Sequence, residues 1–116
     1  MIITRNPSGL RSNTAVINFC KDYKINLDKF NIPVIIGEKV QNCTELLKGC
    51  KGFNQPIVLH DHVVSTLDMF CGCESFDQPI TLPNSIQVCS GMFVGCEMFY
   101  QLIELPESVR NSMGMF

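Results

Sequence analysis

The chain has 116 residues, of which 46% are hydrophobic and only 17% charged, and its formal net charge is −2. That length fits one domain, and with no basic field to gather phosphates, nucleic acid is excluded as the expected partner. No apolar run approaches membrane-spanning length, which excludes insertion, and Met1-Ile2-Ile3-Thr4-Arg5-Asn6-Pro7 lacks the apolar core of a signal peptide. The expected location is cytoplasmic, or the cell surface or a virion if the chain is a fragment of a longer protein.

Residues 1–29 read as an N-terminal cap. Polar Arg11-Ser12-Asn13-Thr14, followed by Ala15-Val16-Ile17 and Phe19-Cys20, offers a polar outside and an apolar inside, as a terminal unit covering a repeat array must. The alternation of Tyr23, Ile25 and Leu27 predicts a short strand.

From residue 30 the chain repeats itself every 23 residues. Phe53-Asn54-Gln55-Pro56-Ile57-Val58-Leu59 recurs as Phe76-Asp77-Gln78-Pro79-Ile80-Thr81-Leu82, and Met69-Phe70-Cys71-Gly72-Cys73 recurs as Met92-Phe93-Val94-Gly95-Cys96. A weaker copy begins at Phe30, with Ile32 in place of the glutamines at 55, 78 and 101, and a last one runs from Phe99 to Phe116. The repeats divide as 30–50, 51–73, 74–96 and 97–116. A fixed period of this length predicts a solenoid. In each copy, Ile57 and Leu59, Ile80 and Leu82, or Ile103 and Leu105 flank one outward residue, the period of a strand. The M-F-x-G-C segment predicts a tight or 3-10 turn on the opposite side. The expected fold is therefore mainly β, about four rungs plus the cap, with glutamine amides laddering between rungs.

Seven cysteines fall into columns rather than a disulfide framework: Cys50, Cys73 and Cys96 share one repeat position, Cys43 and Cys89 another. They read as reduced thiols of the core. His60-Asp61-His62 is the one local cluster with ligand chemistry, but two imidazoles do not close a metal site, so no metal and no cofactor are expected. A histidine facing Cys71 or Cys73 is the single route to a cysteine nucleophile, and Cys50 and Cys96 repeat the position with no histidine beside them. No catalytic residue is expected.

The pattern F-x-Q-P-I-x-L-P-x-S-[VI] followed by M-F-x-G-C resembles the BspA-type leucine-rich repeats of bacterial surface lipoproteins, phage proteins and some protists. The resemblance covers residues 30–116 and implies a right-handed solenoid of short parallel strands, used for protein binding or adhesion and carrying no catalytic residues. His60-Asp61-His62 departs from it, since the next copy has Pro83-Asn84-Ser85 there.

The expected function is that of a non-enzymatic leucine-rich-repeat module that binds another protein, for instance a small binder or inhibitor encoded by a phage or bacterium. A fragment of a bacterial surface adhesin is the alternative, and a cysteine-dependent enzyme stands third. The expected binding surface is the outward row Ile35, Val58, Thr81 and Glu104, with Asn54, Asp77 and Tyr100 beside it. A homodimer is expected through the C-terminal repeat, centred on Met113, Met115 and Phe116, because an open end exposes apolar side chains.

Overall fold

A proline stands beside the middle of each repeat, at 33, 56, 79 and 106, and the third repeat has one on both sides, Pro79 and Pro83. The structure, a computed structural model, describes residues 1–4 and 13–116; Arg11 and Ser12 of the expected cap lie outside the described residues. Pro79 and Pro83 flank Ile80, Thr81 and Leu82, and a proline disfavours helix in the residue before it and has no N–H to offer a neighbour. Burial alternates along this segment, with Ile80 and Leu82 buried and Thr81 exposed, and Ile57, Val58 and Leu59 repeat the alternation. In the last copy it fails, because Leu105, expected inside, is 49% exposed. Among the described residues no backbone hydrogen bond joins any of these segments to the next copy.

The copies bond instead through their turns. The N–H groups of Cys43, Glu45, Leu47 and Gly49 donate to the carbonyls of Ser65, Leu67, Met69 and Cys71 at 2.8 to 2.9 Å. Thr66, Asp68, Phe70 and Gly72 repeat the pattern on Val88, Ser90, Met92 and Val94, and Cys89, Gly91 and Phe93 repeat it on Asn111, Met113 and Met115. Alternate residues can all donate the same way only if the turn coils back through left-handed backbone. Gly49, Gly72 and Gly95 supply that at φ 81°, 79° and 76°, where a side chain is strained. Glu45 and Asp68 occupy a second left-handed position at φ 58° and 51°, filled by Gly91 and Gly114 in the later copies.

Phenylalanines fill the space between the turns and the middle segments. Phe30, Phe53, Phe76 and Phe99 stack in one column with centroids 5.9 to 6.1 Å apart, and Phe70, Phe93 and Phe116 in a second at 5.6 to 5.7 Å. The columns touch where Phe70 meets Phe76 at 4.1 Å and Phe93 meets Phe99 at 4.2 Å. Each such pair adds about 0.5–1.5 kcal/mol beyond burial.

At the N-terminal end, Ile2–Ile3 (β1) pairs in parallel with Ile35–Ile36 (β2), Ile2 opposite Ile35. Helix α1, Thr14–Tyr23, buries Val16 and Cys20 and sets the edge of Phe19 against Phe30 at 6.0 Å. It stops at Lys24, whose left-handed backbone (φ 56°) turns its N–H onto the carbonyls of Cys20 and Lys21. The predicted strand through Tyr23, Ile25 and Leu27 is thereby corrected: Tyr23 ends the helix and Leu27–Lys29 forms a 3-10 turn.

The fold class expected from the sequence is overturned as well. The described residues form one helix and one two-stranded sheet, and single parallel bridges among Asn42, Ser65, Val88 and Asn111 are the other β pairings. The radius of gyration, 13.0 Å, is that of a compact globule of this length, about 13 Å. This is not a leucine-rich-repeat solenoid of strand rungs. The period is met by turns and rings packed in one core, since the bonds between copies run through the turns and none runs between the middle segments 57–59, 80–82 and 103–105.

Candidate protein-binding surface

The row expected to face outward does so. Ile35 is 58% exposed and Val58 66%, and Thr81 and Glu104 are exposed at the same repeat position. Two bare aliphatic side chains, a hydroxyl and a carboxylate are thus exposed at one repeat position. Next to Thr81 and Glu104 lies a cleft of about 700 Å³ between residues 79–84 and 102–106, with Asp61 also on its wall.

The neighbouring column has a different occupation. The side-chain oxygen of Asn31 accepts the Asn54 N–H at 2.9 Å and the Gln55 amide at 3.0 Å. Asn54 does the same for Asp77 and Gln78, and Asp77 for Tyr100 and Gln101. Asn54 and Asp77 therefore stitch one copy to the next, and the glutamine amides ladder onto them rather than onto each other. The two donors hold the Asp77 carboxyl below its ordinary value, the Tyr100 N–H first and the Gln101 amide second. Tyr100 has no side-chain amide or carboxylate to continue the series and is 92% exposed.

The C-terminal residues separate. Met113 and Phe116 are 81% and 71% exposed, but Met115 is buried with its sulfur 4.0 Å from that of Cys89, so it is no part of the exposed end. Sequence reasoning missed Leu102, 97% exposed, and Met98, 65% exposed, on the same side of the molecule as Tyr100 and Phe116 or in the last copy beside them. The signal was present: Leu102 breaks the column of prolines at 33, 56 and 79.

The thiols at 20, 43, 50, 73 and 89 are buried, and those at 71 and 96 are half-buried. The Cys73 Sγ donates to the Leu47 carbonyl and the Cys96 Sγ to that of Phe70, each at 3.0 Å. Burial pushes Cys43, Cys50 and Cys96 up to about 12 and Cys73 higher still, the reverse of what a nucleophile requires. The His62 ring Nδ1 lies 2.9 Å from the Glu38 carbonyl, a contact that ties the turn to the preceding copy. Among the described residues no group of three or more His, Cys, Asp or Glu is placed to hold a metal ion, and no helix is long and apolar enough to cross a membrane.

By sequence this is a repeat protein, and its described residues form a compact globule with one α-helix. Residues 12–116 match the family described as Mycoplasma protein of unknown function, DUF285, and the chain belongs to that family. The match supports a loose relationship to BspA-like proteins and does not reach the particular repeat motif. No curated protein and no solved structure gives a significant match.

Proposed function

We propose that this chain is a non-enzymatic module that binds another protein through the face carrying Ile35, Val58, Thr81 and Glu104. The observation that carries the reading is the exposure of Ile35 and Val58, 58% and 66%, at one repeat position where the later copies expose Thr81 and Glu104, the mix of apolar and polar side chains of a recognition surface. The raised pKa values of the buried Cys43, Cys50 and Cys73 make these thiols poor nucleophiles, which favours binding over catalysis at them. The use can be that of a small binder or inhibitor, or of one part of a surface adhesin. Capture from a cell lysate with the intact chain, compared with an Ile35→Glu plus Val58→Glu variant of unchanged circular dichroism, tests it. Proteins held by the wild type and lost from the variant support the reading; an identical captured set overturns it.

A second contact is favoured by the exposed end. Met98, Tyr100, Leu102, Met113 and Phe116 leave a broad apolar surface there, and we infer that a second copy covers it as a homodimer. Side chains make this contact. The N–H groups of Ser112, Gly114 and Phe116 have no partner among the described residues, and in a two-fold pair they would meet like donors rather than carbonyls. Light scattering tests it: twice 13.0 kDa, falling to one chain on Phe116→Asp, is expected, and a single-chain mass at every concentration overturns it.

A further inference from the structure

The cleft beside the outward row lies between two of the middle segments that bond to no neighbouring copy. Its walls are backbone with nothing bound to it. Among the described residues no hydrogen bond reaches the N–H or C=O groups of Ile80, Thr81 and Leu82 on one side, or of Ile103, Glu104 and Leu105 on the other, although all of these but Ile103 line a space of about 700 Å³. The turns, a few residues away, spend their backbone groups on the adjoining copy. Main-chain groups left free must be met by water or by a ligand, and an unpaired extended segment is a template for another chain. Pro79, Pro83 and Pro106 lie along these walls; they restrict the backbone on either side of the free groups and so lower the ordering cost of binding.

The charge of the cleft is one-sided. Asp61 and Glu104 line it, no Lys, Arg or His does, and neither carboxylate has an ion-pair partner among the described residues. The exposed Leu102 and Leu105 add an apolar floor at the open end.

We propose that this cleft receives an extended segment of the partner protein, whose main chain pairs with the free backbone groups of 80–82 and 103–105 and which places a basic side chain against Glu104 and Asp61. The mode is strand addition: main-chain bonds supply affinity, and the carboxylates select the sign of the flanking charge. This inference rests on the protein-binding reading above and names the chemistry of the partner.

The test uses the full chain and fluorescence anisotropy with three labelled hexapeptides: Arg-Thr-Val-Thr-Val-Arg, the same peptide with Glu at both ends, and the Arg peptide N-methylated on alternate amides. Saturable binding of the first is expected, weakened about ten-fold or more by each change and about ten-fold by Glu104→Lys, whose side chain is exposed and whose loss does not threaten folding. Equal binding of the Arg and Glu peptides overturns the charge selection, equal binding of the N-methylated peptide overturns main-chain pairing, and no binding of any overturns the site. The last result leaves the outward row standing if Ile35→Glu plus Val58→Glu still strips the captured partner. Peptide binding together with partner capture that survives that variant removes the row and keeps the cleft.

Discussion

Replacing Asn54 by alanine cuts the stitching between two copies at one atom. The Asn54 side-chain oxygen accepts the Asp77 N–H at 2.9 Å and the Gln78 amide at 3.1 Å. Gln78 keeps a second acceptor in the Asn54 carbonyl at 3.3 Å, so its loss is partly offset. Asp77 N–H has no other partner and sits half-buried, and a net hydrogen bond is worth about 1 kcal/mol, with about 1–3 kcal/mol for a donor left unpaired out of water. The sum is a destabilisation of about 1–2 kcal/mol, or about 5 °C in Tm for a chain of this size. Asn54→Asp retains the acceptor, as Asp77 does naturally one copy on, and is expected to cost less than about 0.5 kcal/mol. Urea unfolding of the three proteins at neutral pH decides it. Alanine and aspartate variants of equal stability would refute the reasoning, because the effect would then not come from the acceptor oxygen.

Glu45→Gly is expected to stabilise by about 0.5–1 kcal/mol, since relief of left-handed strain at φ 58° outweighs the chain entropy of glycine and the exposed pair with Lys48 is worth little; a lower urea midpoint would contradict it. Acid tests Asp77: its folded pKa lies below the ordinary 3.8, so its contribution is present above that value and is lost as pH falls through the lowered one, and Asp77→Asn should flatten this part of the stability curve. Alkali tests the thiols: folded values near 12, or higher for Cys73, exceed the ordinary 9.0, so stability is complete below pH 9 and falls above it as unfolded thiols ionise. Cys73→Ala should reduce that slope, and an unchanged slope would contradict the assignment. Cys73→Ser should cost only about 1 kcal/mol, because the Leu47 carbonyl that accepts the thiol can accept a hydroxyl.

The columns were legible in the sequence because identical residues at one period must meet identical surroundings, and Phe30, Phe53, Phe76 and the thiols at 50 and 73 occupy the core as their spacing required. The side of the repeat that carries the hydrogen bonds was not. Alternating Ile and Leu looks the same in a strand bonded to the next copy and in a segment such as 80–82 that is not. Helix α1 was missed although Val16, Phe19, Cys20 and Tyr23 fall three and four apart; Tyr23 was assigned to an alternation with Ile25 and Leu27 that the left-handed Lys24 interrupts. At the proposed binding surface, exposure of Ile35, Val58, Thr81 and Glu104 followed from their parity. The bonding role of Asn54 and Asp77 did not, since a polar column reads alike whether it faces solvent or the next copy. Leu102 needed the comparison of copies, where it stands in a proline's place.

Hydrogen–deuterium exchange of the intact chain, free and saturated with its captured partner, tests the binding face most directly. Val58, Thr81 and Glu104 carry amides with no internal acceptor among the described residues, so they are expected to exchange within the earliest time points in the free protein and to become protected in the complex, while the turn amides of Leu47, Phe70 and Phe93 are already slow and change little. Protection that appears on helix α1, with the amides of 57–59, 80–82 and 103–105 as fast as before, would contradict the account.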